Sequence, residues 1–348
     1  MKRNKSTIAL FLAMLLSSCQ GGKVEHPLED YRSELSFQEE TFKIMQLTDI
    51  HWSYVTILEQ SKAYMDAILR NALSEEGHID LVVITGDIVL NANPYILKSL
   101  IDYLDGWDLP LAFTYGNHEK EGTWSTAYLN SLITSAKNSI TRIVDGDNVY
   151  GETNYLIDIK DGSNLLWQIY CLDSNSLAHD NGLTYQYDNI HQDQVDWLKR
   201  MAKDSEVGGT NVPSLGFIHI PPKEMFAAQQ EALKDPSKHI MGESHEKCCA
   251  TKLDSEFFDA AKNINMQGIF FGHDHSNDNV VSYQDVLLGY GVKSTPELYY
   301  YEDQEGFDWI GYSFIELKKD HRWSLKHVYL DYDDPSNSKH SPTWESSL

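Results

Sequence analysis

Cysteine and basic residues are scarce in this chain, and its sequence has no long apolar run. Four Cys among 348 residues are too few to build a disulfide scaffold of this size. Lys and Arg total 28 against 52 Asp and Glu, giving a formal charge of −24. A nucleic acid is therefore a poor candidate partner, because phosphate contacts need clustered basic side chains. The 41% of hydrophobic residues fits a soluble globular protein with a sizeable core, in one large α/β domain or two small ones.

The N-terminus has the pattern of an export signal. Basic residues at positions 2, 3 and 5 precede an apolar run at residues 8–16. Nine residues are too few for a membrane span, which needs about 20, but they match a signal-peptide core. The following Leu16-Ser17-Ser18-Cys19 resembles the bacterial lipobox, so Cys19 is the predicted lipidation site. The alternative is an ordinary signal peptide that contains a Cys.

These features predict an exported bacterial lipoprotein, anchored to a membrane of the cell envelope in the periplasm or at the cell surface. Loss of residues 1–18 as the lipoprotein signal peptide removes three positive charges and leaves 25 − 52 = −27. Residues 19–40 show no clear periodicity and are predicted to be a tether. The folded domain is expected over residues 41–332, and residues 333–348 are expected to be a polar, frayed tail.

The first half of the domain alternates strand-like and helix-like segments. Apolar strand patterns at residues 42–47, 80–85 and 109–114 are separated by helical spacing at 55–73 and 94–104. This β-α-β-α-β order predicts a layered α/β fold with a parallel sheet. Later segments predict a hairpin at residues 153–160 and 164–172 and two helices, at residues 192–203 and 257–262. Further strands are predicted at residues 215–220, 268–271, 280–283, 286–289, 310–317 and 323–330.

Five polar clusters each follow an apolar strand or stand at its end. They are Asp49-x-His51, Gly86-Asp87, Gly116-Asn117-His118-Glu119, His219 and Gly272-His273-x-His275. Sites in α/β sheets assemble at the carboxyl ends of strands, so these loops are expected to converge. Carboxylates, imidazoles and one amide together suit Zn, Mn or Fe ions better than Ca²⁺. Seven such groups exceed the needs of one ion and suffice for two ions that share a carboxylate.

The ordered motifs resemble those of the calcineurin-like metallophosphoesterase superfamily, over about residues 42–330. The context His219-Ile220-Pro221-Pro222 and Gly272-His273-Asp274-His275 is most similar to its purple-acid-phosphatase-like branch. The resemblance implies a four-layer α/β/β/α sandwich of the metallo-dependent phosphatase type with a dinuclear metal centre at its edge.

By match to the family motifs, seven residues are the expected metal ligands. One metal would be held by Asp49, His51, Asp87 and His275, and the other by Asp87, Asn117, His219 and His273, with Asp87 bridging. The resemblance further implies that His118 faces the phosphate as the catalytic residue. Glu119 stands where many members have Asp, and it is the expected partner that orients His118.

The resemblance predicts a hydrolase: a dinuclear metal-dependent phosphatase that uses two Mn, Fe or Zn ions. The expected reaction is in-line attack of a metal-bridging hydroxide on a phosphate ester, and the expected substrate is a small phosphomonoester. Two alternatives stay open: a phosphodiesterase acting on small diesters, and a non-catalytic surface lipoprotein on the same fold. Two insertions, residues 175–189 and 231–251, either form ordinary surface loops or wall the substrate pocket.

Overall fold

A computed structural model describes residues 26–53, 58–144, 148–180, 183–296, 298 and 309–346. The predicted signal peptide and Cys19 lie outside these residues. Among the helices that are described, none combines the length and the apolar character that crossing a membrane requires.

The strands and helices are numbered in chain order. The strands are β1 (Arg32–Ser36), β2 (Thr41–Leu47), β3 (Leu81–Thr85), β4 (Leu111–Thr114), β5 (Tyr155–Asp161), β6 (Asn164–Cys171), β7 (Leu177–Asp180), β8 (Leu183–Tyr187), β9 (Ser214–Phe217), β10 (His239–Met241), β11 (Met266–Phe271), β12 (Val280–Tyr283), β13 (Val286–Tyr290), β14 (Trp309–Lys318), β15 (Trp323–Asp331), β16 (Ser338–His340) and β17 (Trp344–Glu345). The helices are α1 (Leu58–Glu76), α2 (Pro94–Asp105), α3 (Thr126–Ser135), α4 (Gln192–Asp204), α5 (Glu224–Lys234) and α6 (Phe257–Asn263).

Two mixed sheets form the centre of the molecule. One has the strand order β16-β15-β14-β2-β3-β4, with β17 also paired to β15, and the other has the order β1-β5-β6-β9-β11-β13-β12-β10. Strands β2, β3 and β4 are parallel, as are β6, β9, β11 and β13. The carboxyl ends of the central strands of each sheet therefore lie at one edge of that sheet.

Alternate residues along the strands face different layers. In β2, Ile44 packs between the two sheets while Met45 packs against α1, α2 and α3. In β11, Phe270 faces the other sheet while Phe271 packs against the side that carries α4, α5 and α6. Because the central strands are covered on both faces, strands such as β3 are almost continuously apolar. The result is the expected α/β/β/α sandwich, and the fold-class prediction is confirmed.

Both predicted polar ends need correction, because parts of them belong to the sheets. Strand β1 lies within the predicted tether, and it pairs in parallel with β5, from Arg32 opposite Leu156. Strands β16 and β17 lie within the predicted tail, and both pair with β15. These segments are short and polar because they form or flank sheet edges, so they lack the apolar pattern of a central strand.

Some helices and strands had no counterpart in the sequence predictions. No element was predicted at helices α3 and α5 or at strand β10, whose apolar spacing is weak or interrupted, and strands β7 and β8 form a hairpin in the first insertion. Helix α2 was predicted within one residue: Pro94 occupies its first turn, and the Asn93 side chain caps it by accepting from Tyr95 N–H at 3.0 Å.

Candidate metal centre

The five polar clusters meet at the shared edge of the two sheets. Asp49, Asp87 and Asn117 follow β2, β3 and β4, which are neighbours in one sheet. His219 and His273 follow β9 and β11, which are neighbours in the other. The convergence predicted from the sequence is therefore present, and the centre spans both sheets.

Four of these residues adopt a left-handed backbone. The φ angles are 51° at Asp49, 46° at His51, 47° at Asp87 and 83° at His273. Such angles cost free energy in residues other than Gly, and they concentrate where the fold must aim a side chain.

Glycine next to these residues is required by close approach. A Cβ on Gly86, where φ is 79°, would lie 2.5 Å from the His219 ring. A Cβ on Gly116 would lie 2.3 Å from Oδ1 of Asp87. Both distances are far inside van der Waals contact, so the two Gly-containing motifs allow the side chains to converge.

The first group of side chains consists of Asp49, His51, Asp87 and His275. Each offers one ligand atom, and these atoms all lie within 4.8 Å of one another. Nε2 of His51 lies 2.9 Å from Nε2 of His275 and 3.8 Å from Oδ2 of Asp87. Nε2 of His275 lies 3.5 Å from Oδ1 of Asp49. All four residues are buried, so their polar atoms face one another and not solvent.

The second group consists of Asp87, Asn117, His219 and His273. Asp87, His219 and His273 again place one ligand atom each within 4.8 Å of the others. Nε2 of His219 lies 3.2 Å from Oδ2 of Asp87 and 3.3 Å from Oδ1 of Asn117. Oδ2 of Asp87 therefore approaches imidazoles of both groups, which is the position of a shared ligand.

Neighbouring groups fix the orientation of these ligands. Nδ1 of His219 lies 2.9 Å from the carbonyl oxygen of Thr85 and donates to it, which leaves Nε2 to face Asp87. The hydroxyl of Thr48 donates to Oδ2 of Asp49 at 2.8 Å, and the N–H of His273 donates to the same oxygen at 3.1 Å.

Burial and neighbouring charges together shift the pKa values of the side chains in the centre. Burial alone would raise the pKa of Asp87, but the adjacent His219 outweighs it and holds that pKa well below the usual range. Burial would likewise lower the pKa of His219, yet Asp87 raises it to about 10. For His273, burial and the nearby His219 lower the pKa to about 3, so this imidazole is neutral and free to act as a ligand.

One buried nitrogen supports the fit to a cation. Nε2 of His273 is buried, and within the described ranges it has no hydrogen-bond partner. Leaving such a group unsatisfied costs about 1–3 kcal/mol, a cost that a bound cation would remove. Together with the two carboxylates and the mixed N and O donors, this makes the cluster suited to a dinuclear metal site.

The family is shown by the match of its sequence model to most of the chain. The model described as calcineurin-like phosphoesterase matches residues 42–277, which include all seven candidate ligands. The chain belongs to the calcineurin-like phosphoesterase family. The prediction that the chain belongs to this family of phosphoesterases is thereby confirmed.

The chain matches different shares of the lengths of its relatives. It is 25% identical over 257 residues to an uncharacterized protein of Schizosaccharomyces pombe, matching 69% of this chain and 47% of that protein. It is 25% identical over 303 residues to probable inactive purple acid phosphatase 14 of Arabidopsis thaliana, matching 74% of this chain and 72% of that protein. The predicted likeness to purple-acid-phosphatase-like proteins is thus confirmed. The phosphoesterase chain spans about half the length of the S. pombe relative.

The fold itself is shared with solved structures. A dimetal phosphatase from Danio rerio superposes with a TM-score of 0.55 at 14% identity, covering 86% of this chain and 98% of that one. At this identity the likeness establishes the fold of the phosphoesterase and nothing further.

Among the hydrogen bonds of the described residues, the Glu119 carboxylate has backbone N–H partners and not the His118 ring, which corrects the role expected for it. Its carboxylate is buried and accepts four backbone N–H groups: those of Asp87, Ile88, Val89 and Gly116, at 2.7–3.0 Å. Burial and the charge of Asp87 raise the pKa of Glu119 to about 7, against the N–H donors that favour its charged form. Glu119 therefore fixes the backbone that carries Asp87.

His118 is oriented by Glu121, a residue that the sequence analysis missed. Nδ1 of His118 lies 2.5 Å from Oε2 of Glu121, and Nε2 lies 3.8 Å from Oδ2 of Asp87. The N–H of His118 donates to Oδ1 of Asp87 at 3.0 Å. A 3₁₀ turn over His118–Lys120 brings these residues together, and the i,i+3 spacing of His118 and Glu121 was the available signal.

The two insertions of the phosphoesterase lie next to each other beside the centre. In the first, the hairpin β7–β8 ends at Tyr187, whose ring meets His273 edge-on with centroids 4.2 Å apart. In the second, the N–H of Cys249 donates to Oδ2 of Asp274 at 2.9 Å. The side chains of His179 and Tyr185, which belong to the first insertion, lie outside the described residues.

Proposed function

We propose that this chain hydrolyses small phosphomonoesters with the help of two metal ions. The observation that carries the proposal is the position of Asp87, because its Oδ2 atom lies 3.2 Å from Nε2 of His219 and 3.8 Å from Nε2 of His51. One carboxylate shared between two sets of imidazole and carboxylate ligands is the arrangement that a dinuclear centre needs.

The ligands proposed for the two ions are those expected from the sequence. Asp49, His51, Asp87 and His275 would hold one ion, and Asp87, Asn117, His219 and His273 would hold the other. When bound, the ions supply Lewis-acid activation of water and neutralise charge on the phosphoryl oxygens. Mixed N and O donors favour Mn, Fe or Zn for both positions.

His118 is the proposed general acid for the leaving group. Its Nε2 atom faces the centre, while Nδ1 is bound by Glu121, so the ring is fixed with one nitrogen available for proton transfer. The contact of Glu121 with Nδ1 holds the ring so that Nε2 is the nitrogen directed toward the departing group. About a quarter of the His118 side chain is exposed, at 24%, which leaves room for a substrate.

A panel of esters tests the proposal. We expect 4-nitrophenyl phosphate to be hydrolysed faster than bis(4-nitrophenyl) phosphate in the presence of Mn²⁺, Zn²⁺ or Fe²⁺, with no turnover of either after chelation. Faster cleavage of the diester would favour a phosphodiesterase instead. The formal charge of −24 favours a small ester over a polyanionic chain such as a nucleic acid.

A non-catalytic role on the same fold predicts a different metal content. The family relative named as a probable inactive purple acid phosphatase makes this alternative concrete. All seven candidate ligands and His118 are present in this sequence. Mass spectrometry should therefore find about two transition-metal ions per chain in the purified protein. A metal-free protein that binds no added Mn²⁺ or Zn²⁺ would support the non-catalytic role.

We further propose that the chain is a lipoprotein of the bacterial cell envelope, anchored through Cys19. The support is the lipobox-like sequence that follows the short apolar run. Expressed in a bacterium with [³H]palmitate, the full chain should incorporate label and fractionate with membranes. Cys19→Ala should abolish the labelling, whereas Cys249→Ala should not. Labelling that survives Cys19→Ala would contradict lipidation at this residue.

A further inference from the structure

A cleft beside the candidate metal centre lies between the two insertions. Its volume is about 370 Å³, within the range of about 300–1,000 Å³ that is typical of small-molecule sites. Its walls include Leu177, Gln186 and Tyr187 from the β7–β8 hairpin, and Lys247, Cys249 and Lys252 from the segment before α6.

This cleft adjoins the centre through two contacts. The ring of Tyr187 stands edge-on against that of His273, with centroids 4.2 Å apart. On the other wall, the N–H of Cys249 binds the carboxylate of Asp274, the residue between the two ligand histidines of its motif. A molecule whose phosphoryl group sits at the centre therefore has the cleft as a neighbouring space.

Two unpaired cations stand in the wall of this cleft. Lys247 and Lys252 are both exposed, and neither forms an ion pair within the part of the chain that the structure describes. Several other surface lysines are paired, among them Lys98 with Asp102, Lys137 with Asp108 and Lys223 with Asp254. In a protein with a formal charge of −24, two unpaired ammonium groups on one cleft form a local attraction for an anion.

We propose that this cleft binds a second anionic group of the substrate, so that the preferred substrates are small bisphosphates. The inference rests on the proposed phosphomonoesterase function: one phosphoryl group occupies the metal centre, and the other contacts Lys247 and Lys252. The half-buried ring of Tyr187 then packs against the carbon skeleton between them. A lysine ammonium is a flexible point charge, which suits recognition of phosphates at several positions on that skeleton.

The test compares two sugar phosphates on the metal-loaded protein. The rates of phosphate release from hexose 6-phosphate and hexose 1,6-bisphosphate are measured for the wild type and for the double variant Lys247→Gln/Lys252→Gln. The wild type should prefer the bisphosphate. In the variant the ratio of kcat/KM for the bisphosphate to that for the monophosphate should fall about tenfold, chiefly through KM, as expected for two partly exposed charge pairs.

The control is Lys98→Gln/Lys137→Gln, which removes the same amount of charge away from the cleft. Lys98 lies in α2, and Lys137 pairs with Asp108, shortly after the end of α2. Its specificity ratio should equal that of the wild type. An equal fall in both double variants, or no fall in Lys247→Gln/Lys252→Gln, would overturn the proposal.

Failure of the wild type to hydrolyse any monoester would contradict the proposed function but not the binding of an anionic group in the cleft. Calorimetric titration with the hexose bisphosphate then decides the second question. Tighter binding by the wild type than by Lys247→Gln/Lys252→Gln supports the anion subsite, and equal binding overturns it.

Discussion

Asp87→Asn is expected to lose bound metal and hydrolytic activity together. The substitution keeps the size of the side chain and its ability to accept the N–H of His118, but it removes the charge that approaches both groups of imidazoles. Loss of a residue that merely supports a metal ligand lowers affinity by about 10–100-fold. Loss of the shared ligand should exceed this range, in metal affinity and in kcat/KM.

The measurement is metal content by mass spectrometry beside kcat/KM for 4-nitrophenyl phosphate. Asp158→Asn is the matched control, because Asp158 is also buried and also pairs with a cation, Arg32 at 2.9 Å, but lies outside the two metal groups. It should be less stable and yet keep about two ions per chain. An Asp87→Asn protein that retains both metals and wild-type activity would contradict the shared-ligand role.

His118→Ala is expected to keep its metals and lose turnover. His118 lies outside both groups of metal-binding side chains, while its Nε2 atom faces Asp87. Loss of a general acid typically lowers the rate about 10²–10⁴-fold. The loss should be largest for an alkyl phosphate, whose leaving group needs a proton, and smaller for 4-nitrophenyl phosphate. Glu121→Gln should give a weaker loss of the same kind, because it weakens the contact that holds the His118 ring in position.

The matched control is His191→Ala. His191 is also partly exposed, at 34%, and also pairs with a carboxylate three residues away, Asp188, at 2.9 Å. It belongs to neither metal group, so this variant should retain both metal and rate. Wild-type turnover of alkyl phosphates by metal-replete His118→Ala would remove His118 from the mechanism.

The centre could be predicted from the sequence because its ligands lie just beyond the carboxyl ends of strands. Asp87 and His219 follow strands of different sheets and are 132 positions apart, yet each lies two residues beyond the end of an apolar strand. Parallel strands bring such positions to one edge, so the positions could be read without knowing any contact.

Contacts made by irregular segments could not be predicted in this way. Glu121 reaches His118 across the 3₁₀ turn of His118–Lys120, and the Glu119 carboxylate binds backbone N–H groups. Strand β1 is recognisable only through its partner β5, more than a hundred residues later. Tyr187 and Lys247 meet at one cleft because two insertions happen to be neighbours in space, and neither segment has a periodic pattern.

The placement of ligands on both sheets has a consequence for the stability of the sandwich. Asp49, Asp87 and Asn117 extend from one sheet, and His219, His273 and His275 extend from the other. Ions bound between them would link the two sheets at this edge. The free energy of metal binding is then also free energy of sheet association. We therefore expect the chain to reach its full stability against unfolding only when its metals are bound.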